Sequence, residues 1–200
     1  MQFIGSMGPP GGGRNPVTPR LLRHFSVLSF TDLADKSIER IFGTILSAHA
    51  AQHFVEPAAA AAGGAVAATV VVYNAARAAL LPTPSRAHYS FNLRDVARVV
   101  QGVMRAEPKE AGASRDALLA LWLHESARVF ADRLIDDGDA AWLQGAQDAA
   151  LRGQFDVVAA DVVPPGERLI YGDFIVPGAL LGILVCGVPL DTVTCTIASL

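Results

Sequence analysis

The stretch SRDALLALWLHESARVFADRLI, residues 114–135, decides the fold that this sequence predicts. Its large side chains recur at spacings of three and four residues, which is the period of a helix with one buried face. Ser114 is a good N-cap, because its hydroxyl can accept a hydrogen bond from the first helical turn. The acidic run at 136–139 would close the helix. The predicted buried stripe consists of Leu119, Trp122, Ser126, Phe130 and Leu134.

Two more helices are predicted upstream, at about residues 34–50 and 66–80. Thr31 or Asp32 can cap the first helix. The second ends before Pro82 and Pro84, since proline cannot continue a helix. The alanine- and glycine-rich residues 57–64 are expected to form the turn between the two helices. One face of the first helix collects Ile38, Ile41, Phe42, Ile45 and Leu46.

A further helix is predicted over residues 93–103. Asn92 can cap it, and Asp95, three residues later, completes a variant of the capping box. Arg94 and Arg98 fall on a different face from the valines of the buried stripe. Another helix is expected over 140–152, followed by an extended linker over 154–163. The stripe consists of Val96, Val99, Val100 and Val103.

The first thirty residues predict two short strands rather than long helices. Residues 2–7 form an apolar run, and residues 26–30 alternate apolar and polar side chains. Between them, Thr18 and Pro19 can start a short helix over residues 20–24, because proline is favoured at the first helical position. The predicted fold class is therefore mainly α, a helical bundle preceded by two strands.

The composition excludes several functional classes. The chain is 52% hydrophobic and 18% charged, with a net charge of −3, so it has no basic surface typical of nucleic-acid binding. Its two cysteines, Cys186 and Cys195, stand apart from any histidine cluster and predict neither a zinc site nor a disulfide framework. His24, His88 and His124 fall on different predicted elements, which also indicates no metal site. The apolar residues 179–190 are shorter than the roughly 18–20 residues that a membrane span requires.

Three motifs together give the chain a family resemblance. They are GPPGGGRNPVTPRLLRHF at residues 8–25, LLPTPSRAHYSFNLRDVARVVQGV at 80–103 and LWLHESARVFADRLIDD at 121–137. In combination they closely resemble dynein heavy chains of the axonemal type, at the third AAA+ module of the motor ring. LIYGDFIVPG at residues 169–178 resembles the linker into the fourth module. The resemblance covers about residues 2–178.

The resemblance implies a division of the chain into parts. Residues 1–31 would be the C-terminal remnant of the large α/β subdomain of an AAA+ module, supplying its last two strands. Residues 32–152 would be the helical lid, and residues 153–178 the linker toward the next module. The apolar tail, residues 179–200, departs from the family pattern, and one hypothesis is that it is an out-of-frame or intron-derived end.

Asn15 follows a glycine-rich turn and matches the first sensor of AAA+ modules. An amide suits that role because it can donate to phosphate and accept from water. The alternative is that Asn15 only occupies a turn before Pro16. The glycines of residues 8–13 lack the lysine of a phosphate-binding loop, so they are interpreted as packing residues rather than as phosphate ligands.

Three arginines are the remaining candidate site residues. Arg20 and Arg23 lie where the family can present an arginine finger to the neighbouring module, and Arg23 is preferred because it is nearer the helix end. A guanidinium is always charged and can bind two phosphate oxygens at once. Arg94 matches the second sensor, an arginine of the lid that reaches the phosphates of its own module. The alternative for each arginine is a solvated or ion-paired surface position.

The resemblance implies that the parent is a minus-end-directed, ATP-driven microtubule motor of cilia and flagella, with ATP or ADP and Mg²⁺ bound in the intact protein. No Walker A or Walker B motif is present in the 200 residues, so no independent catalysis is expected. Expected partners are the adjacent AAA+ modules, intermediate and light chains and microtubules, in the cytoplasm and axonemal cytoskeleton, without nucleic acid or membrane. The alternative is a stand-alone helical interaction module. A complete AAA+ regulator is a weaker option.

Overall fold

The computed structural model describes residues 2–8, 16–105, 112 and 114–163. The chain divides into two units, Met1–Leu33 and Ala34–Leu200. The predictions for residues 169–178 and for the tail 179–200 lie outside the described residues.

The described part of the first unit contains one short helix, α1, at Pro19–Leu22. Thr18 precedes α1 with extended backbone but without a side-chain capping bond, so the predicted cap is only partly formed. The prediction of strands at 2–7 and 26–30 is wrong for this structure, where both segments lack strand pairing. A strand needs a neighbouring strand to satisfy its backbone groups, and the described part of this unit offers none. Their side chains are correspondingly exposed, as at Ile4 (91%) and Phe30 (88%).

The second unit is a helical bundle, which confirms the predicted fold class. Its longest helix, Glu56–Ala79, packs against four of the other helices. The largest interfaces of this helix are with Asp35–His53, which precedes it in the chain, and with Asp137–Phe155. The elements are α2 (Asp35–His53), α3 (Glu56–Ala79), α4 (Leu93–Arg105), α5 (Arg115–Ser126), a π-helical turn (Ala127–Ala131), α6 (Asp137–Phe155) and α7 (Ala159–Val162).

Helix α3 is the centre of the bundle, and it begins earlier than expected. The prediction of a turn over 57–64 is wrong, since these residues form the first turns of α3. Alanine is the strongest helix former, and Pro57 is tolerated because the first-turn amide has no intrahelical partner. The chain reverses instead at Phe54 and Val55. Among the described helices, α3 alone is long and apolar enough to cross a membrane. However, 56% of its apolar 18-residue stretch is buried within the bundle, as in a core helix.

The helix starts were predicted well where the capping signal is local. Ser114 Oγ accepts a hydrogen bond of 3.1 Å from the Ala117 amide, as expected. At the start of α4 the Asn92 amide donates to the Asp95 side chain, as expected, and the Asn92 side chain accepts from the Arg94 amide. Helix α2 differs, because its N-cap is Ala34, which offers no side-chain oxygen, rather than Thr31 or Asp32. The valine stripe of α4 is buried, as are Leu119, Trp122, Ser126 and Phe130 of the following helix.

The second half of the bundle departs from the predictions in two ways. The continuous α-helix expected to Ile135 changes at Ala127 into a π-helical turn, in which each amide bonds five residues back. The prediction of an extended segment over 154–163 is also wrong. Helix α6 runs to Phe155 and ends at Asp156 in the left-handed conformation, with φ 58°, and α7 follows.

Candidate functional site

Arg94 lies in the first turn of α4 with its side chain exposed to solvent. The backbone around it is fixed on both sides. Asn92 Oδ1 accepts from the Arg94 amide at 2.8 Å, and the Asn92 amide donates to Asp95 Oδ2 at 2.9 Å. Within the described part of the chain, no ion pair occupies the Arg94 guanidinium. An exposed guanidinium of this kind can form charge-assisted hydrogen bonds to an anion such as phosphate.

Asp95 points the other way, into the bundle, where its side chain is only 3% exposed. Arg133 donates to both of its oxygens, from Nη2 to Oδ1 at 2.7 Å and from Nη1 to Oδ2 at 3.4 Å. Arg98 approaches Asp95 Oδ1 at 3.6 Å from the surface. Asp95 is therefore a capping residue, as expected from sequence, and also the buried half of an ion pair that sequence did not reveal.

The segment before α4 is held against the residues that follow the π-helical turn. The Tyr89 hydroxyl donates to Asp139 at 2.9 Å and accepts from the Ile135 amide at 3.0 Å. Arg86 pairs with Asp136 and, at 2.7 Å, with Asp139. The motifs HYSFNLRD and HESARVFADRL, separate in sequence, therefore meet in one place.

The turn of α5 next to the π-helical turn contains a second buried carboxylate, Glu125, with 9% of its side chain exposed. Burial opposes its ionisation, but hydrogen bonds from His124 and Arg128 and the charge of Arg128 outweigh that effect, so the pKa of Glu125 is lowered. Arg128 Nη2 lies 2.5 Å from Glu125 Oε2. The carboxyl lies directly over Gly102 of α4, where a Cβ atom would collide with it.

An open pocket of about 290 Å³ lies between α4 and the π-helical turn. Its basic side chains come from α4, from the π-helical turn and from Arg133 just after that turn, and their partners Asp95 and Glu125 are buried. The described residues contain no cluster of His, Cys, Asp and Glu suited to a metal ion. The lining residues are Arg98, Arg128, Val129, Asp132 and Arg133.

The other predicted site residues belong to the first unit. Arg20 and Arg23 are exposed at α1, and Arg23 Nε donates to His24 Nε2 at 3.1 Å. Asn15 lies outside the described residues. The structure therefore gives a defined environment for Arg94, and the roles of Arg94, Arg20, Arg23 and Asn15 all stay predictions.

Sequence reasoning missed Arg133. The signal was its position between Phe130 and Leu134, two members of the predicted apolar stripe. A basic side chain at the edge of a buried stripe needs an acidic partner, since an unpaired buried charge is strongly unfavourable. The partner could not be identified from sequence because it lies 38 residues away.

Comparison with known proteins identifies relatives of both parts of the chain. Residues 65–164 match the family model of the AAA+ lid domain, and residues 1–33 match that of the P-loop containing dynein motor region. Dynein axonemal heavy chain 1 of Homo sapiens is 40% identical over 198 residues, covering 90% of this chain and 4% of that protein.

Two further relatives are also named as axonemal dynein heavy chains. Dynein axonemal heavy chain 12 of Mus musculus is 43% identical over 144 residues, covering 72% of this chain and 5% of that protein. Dynein axonemal heavy chain 2 of Homo sapiens is 37% identical over 175 residues, covering 88% of this chain and 4% of that protein. The chain thus spans only 4–5% of the length of these curated relatives.

Proposed function

This chain belongs to the AAA+ lid family and to the dynein heavy chains, and on that premise we propose that it forms the lid of a nucleotide-binding module in an axonemal motor ring. The match to the dynein motor region ends at residue 33, and the lid match covers 65–164. The proposed module is the third of the ring, with residues 1–31 from its large subdomain, 32–152 from its lid, 153–178 a linker and 179–200 an atypical tail.

The proposed activity of the whole protein is ATP-driven, minus-end-directed movement along microtubules in the axoneme of cilia or flagella. Support comes from the names of the relatives, which are axonemal dynein heavy chains. ATP is the substrate, with Mg²⁺, and the partners are the adjacent AAA+ modules, the intermediate and light chains and microtubules. Within this arrangement the chain senses nucleotide or completes sites built by other parts of the ring.

The observation that supports a sensor role is the environment of Arg94. It is an exposed guanidinium on a capped helix start, without an ion-pair partner among the described residues. Phosphate oxygens are the ligands that such a planar, permanently charged group binds best. We assign Arg94 as the second sensor, which reaches the phosphates of its own module.

Asn15 and the arginines of α1 complete the proposal. Asn15 is the proposed first sensor, at the γ-phosphate of the same module. Arg23, or else Arg20, is the proposed arginine finger for the preceding module's site. The exposure of both arginines is compatible with that role, because a finger must reach across to a neighbouring site.

The test uses a dynein motor domain that carries this segment and whose other phosphate-binding loops are inactivated, so that only this module reports. Arg94→Ala is compared with Arg105→Ala, which removes an exposed arginine from the last turn of the same helix, α4. A charge-assisted hydrogen bond is worth about 1.5–3 kcal/mol, so Arg94→Ala should weaken binding of a fluorescent ATP analogue roughly 10- to 100-fold. Arg105→Ala should change it less than about twofold. Equal effects of the two variants would contradict the assignment.

A further inference from the structure

We infer that Arg133 is the positioning residue for Arg94: it holds the first turn of α4 through Asp95 and thereby sets the direction in which Arg94 projects. This inference rests on the proposed sensor role of Arg94. Arg133 itself binds no nucleotide in this scheme, and its contribution to nucleotide binding passes entirely through Arg94.

The guanidinium of Arg133 is committed to protein acceptors. Besides the two oxygens of Asp95, it donates to the Ser90 carbonyl at 3.2 Å and to the Val129 carbonyl at 3.1 Å. Its plane lies over the Phe91 ring, 5.1 Å from the centroid, and only 21% of the side chain is exposed. A guanidinium with its donors engaged in this way links two segments of the chain and is not available as a phosphate ligand.

A continuous set of bonds leads from Arg133 to Arg94. Arg133 fixes Asp95, the second oxygen of Asp95 accepts from the Asn92 amide at 2.9 Å, and the Asn92 side chain accepts from the Arg94 amide at 2.8 Å. Each bond restrains a residue within the first turn of α4 or directly before it. Removing the first bond therefore loosens the backbone from which Arg94 projects.

Arg133 also contacts the π-helical turn. Arg133 donates to Val129, a residue of that turn, and the Arg133 carbonyl lies 2.9 Å from the His88 ring nitrogen. π-helical turns inside helices are frequently found at functional sites. Here the turn lies just before Arg133, which links it to the start of α4.

The experiment is a double-mutant cycle in the motor domain described above, with ATP-analogue affinity and thermal unfolding measured on every variant. The variants are Arg133→Gln, Arg133→Lys, Arg94→Ala and the Arg94→Ala/Arg133→Gln double mutant. We expect Arg133→Gln to weaken nucleotide binding about tenfold, Arg133→Lys to weaken it less, and the double mutant to bind like Arg94→Ala alone.

Arg86→Gln is the matched control, because Arg86 forms ion pairs with Asp136 and Asp139 in the same region but makes none with the start of α4 in the described structure. It should lower the unfolding temperature without changing nucleotide affinity. The inference is overturned if Arg133→Gln leaves affinity unchanged, if its effect persists in the Arg94→Ala background, or if neither Arg133 variant folds. Failure of the sensor proposal gives a different result, because Arg94→Ala alone would then bind nucleotide normally.

Discussion

Asp95 and Arg133 form an ion pair in which the carboxylate side chain is 3% exposed and the guanidinium 21% exposed. The pair joins α4 to the residues after the π-helical turn, 38 positions apart in the chain. Breaking a buried pair by neutralising one partner leaves the other charge without compensation in a poorly solvated place. The pair is thus important for stability as well as for the start of α4.

Asp95→Asn should destabilise the bundle by about 3 kcal/mol, because Arg133 keeps its charge and loses its carboxylate. The measurement is the free energy of unfolding from urea titration. Asp116→Asn is the control, since Asp116 is 72% exposed and lies 3.9 Å from Arg115. An exposed pair of that kind contributes about 0–1 kcal/mol. Similar losses in the two variants would show that the Asp95 pair is not buried in solution.

The buried contact between α3 and α5 gives a second prediction. Trp122 Nε1 donates to Thr69 Oγ1 at 2.8 Å, and that hydroxyl donates to the Ala65 carbonyl at 2.8 Å. Thr69→Val preserves the shape but leaves the indole N–H unsatisfied, which should cost about 1–3 kcal/mol.

Thr44→Val is the control for this substitution. Thr44 makes the same backbone hydrogen bond, to Arg40 at 2.7 Å, but it is exposed on α2. The change should stay within about 0.5 kcal/mol in urea unfolding. If Thr69→Val were equally neutral, the Trp122 bond would not contribute to stability.

These contacts explain which parts of the fold could be predicted from sequence. Ser114 and the Asn92–Asp95 pair were predictable because a cap involves residues only a few positions apart. The Trp122–Thr69 bond was not, because it joins residues 53 positions apart. The start of α3 was misassigned because its alanine run ends in two consecutive glycines, at 63 and 64, and tertiary packing decided in favour of helix.

In the candidate site, too, local features could be predicted from sequence and contacts between distant residues could not. Arg94 could be proposed from sequence because its motif is contained in one short segment, and its sensor role stays a prediction. Arg133 was missed, because its role depends on a helix from another part of the chain. The π-helical turn at Ala127–Ala131 also escaped prediction, since the apolar period changes little across a single widened turn.

Gly102 gives a third prediction, since it lies under the Glu125 carboxyl. In Gly102→Ala the added Cβ collides with that side chain, whose Cγ would be 2.8 Å away. Glu125 can yield only by losing its bonds to His124 and Arg128, so the variant should lose about 1–3 kcal/mol of stability.

Gly145→Ala is the matched control in α6, where no atom lies within 4 Å of the added Cβ. It should gain up to about 1 kcal/mol from helix propensity. Thermal unfolding of the two variants should therefore shift in opposite directions. A shift in the same direction would contradict the close approach of α4 and α5.

Glu125 gives the last prediction, on the pH dependence of stability. Burial raises its pKa, but the bonds from His124 and Arg128 and the Arg128 charge lower the pKa by more than burial raises it. The folded-state pKa therefore lies below the ordinary value of 4.5. A carboxyl with a lowered pKa contributes stability above its unfolded pKa and loses it as pH falls through the folded pKa. The stability difference between the native chain and Glu125→Gln should therefore shrink in acid below about pH 4.5.

Arg128→Gln tests the cause of this pH dependence. It removes the two hydrogen bonds from Arg128 and the neighbouring positive charge but keeps the burial that raises the pKa of Glu125. The acid loss of stability that Glu125 causes should then be smaller than in the native chain, because its folded-state pKa lies closer to the unfolded value. Urea unfolding at intervals between about pH 3 and pH 7 measures the size of that loss. An unchanged acid limb in Arg128→Gln would mean that Arg128 does not hold the Glu125 carboxylate, and that His124 alone compensates for its burial.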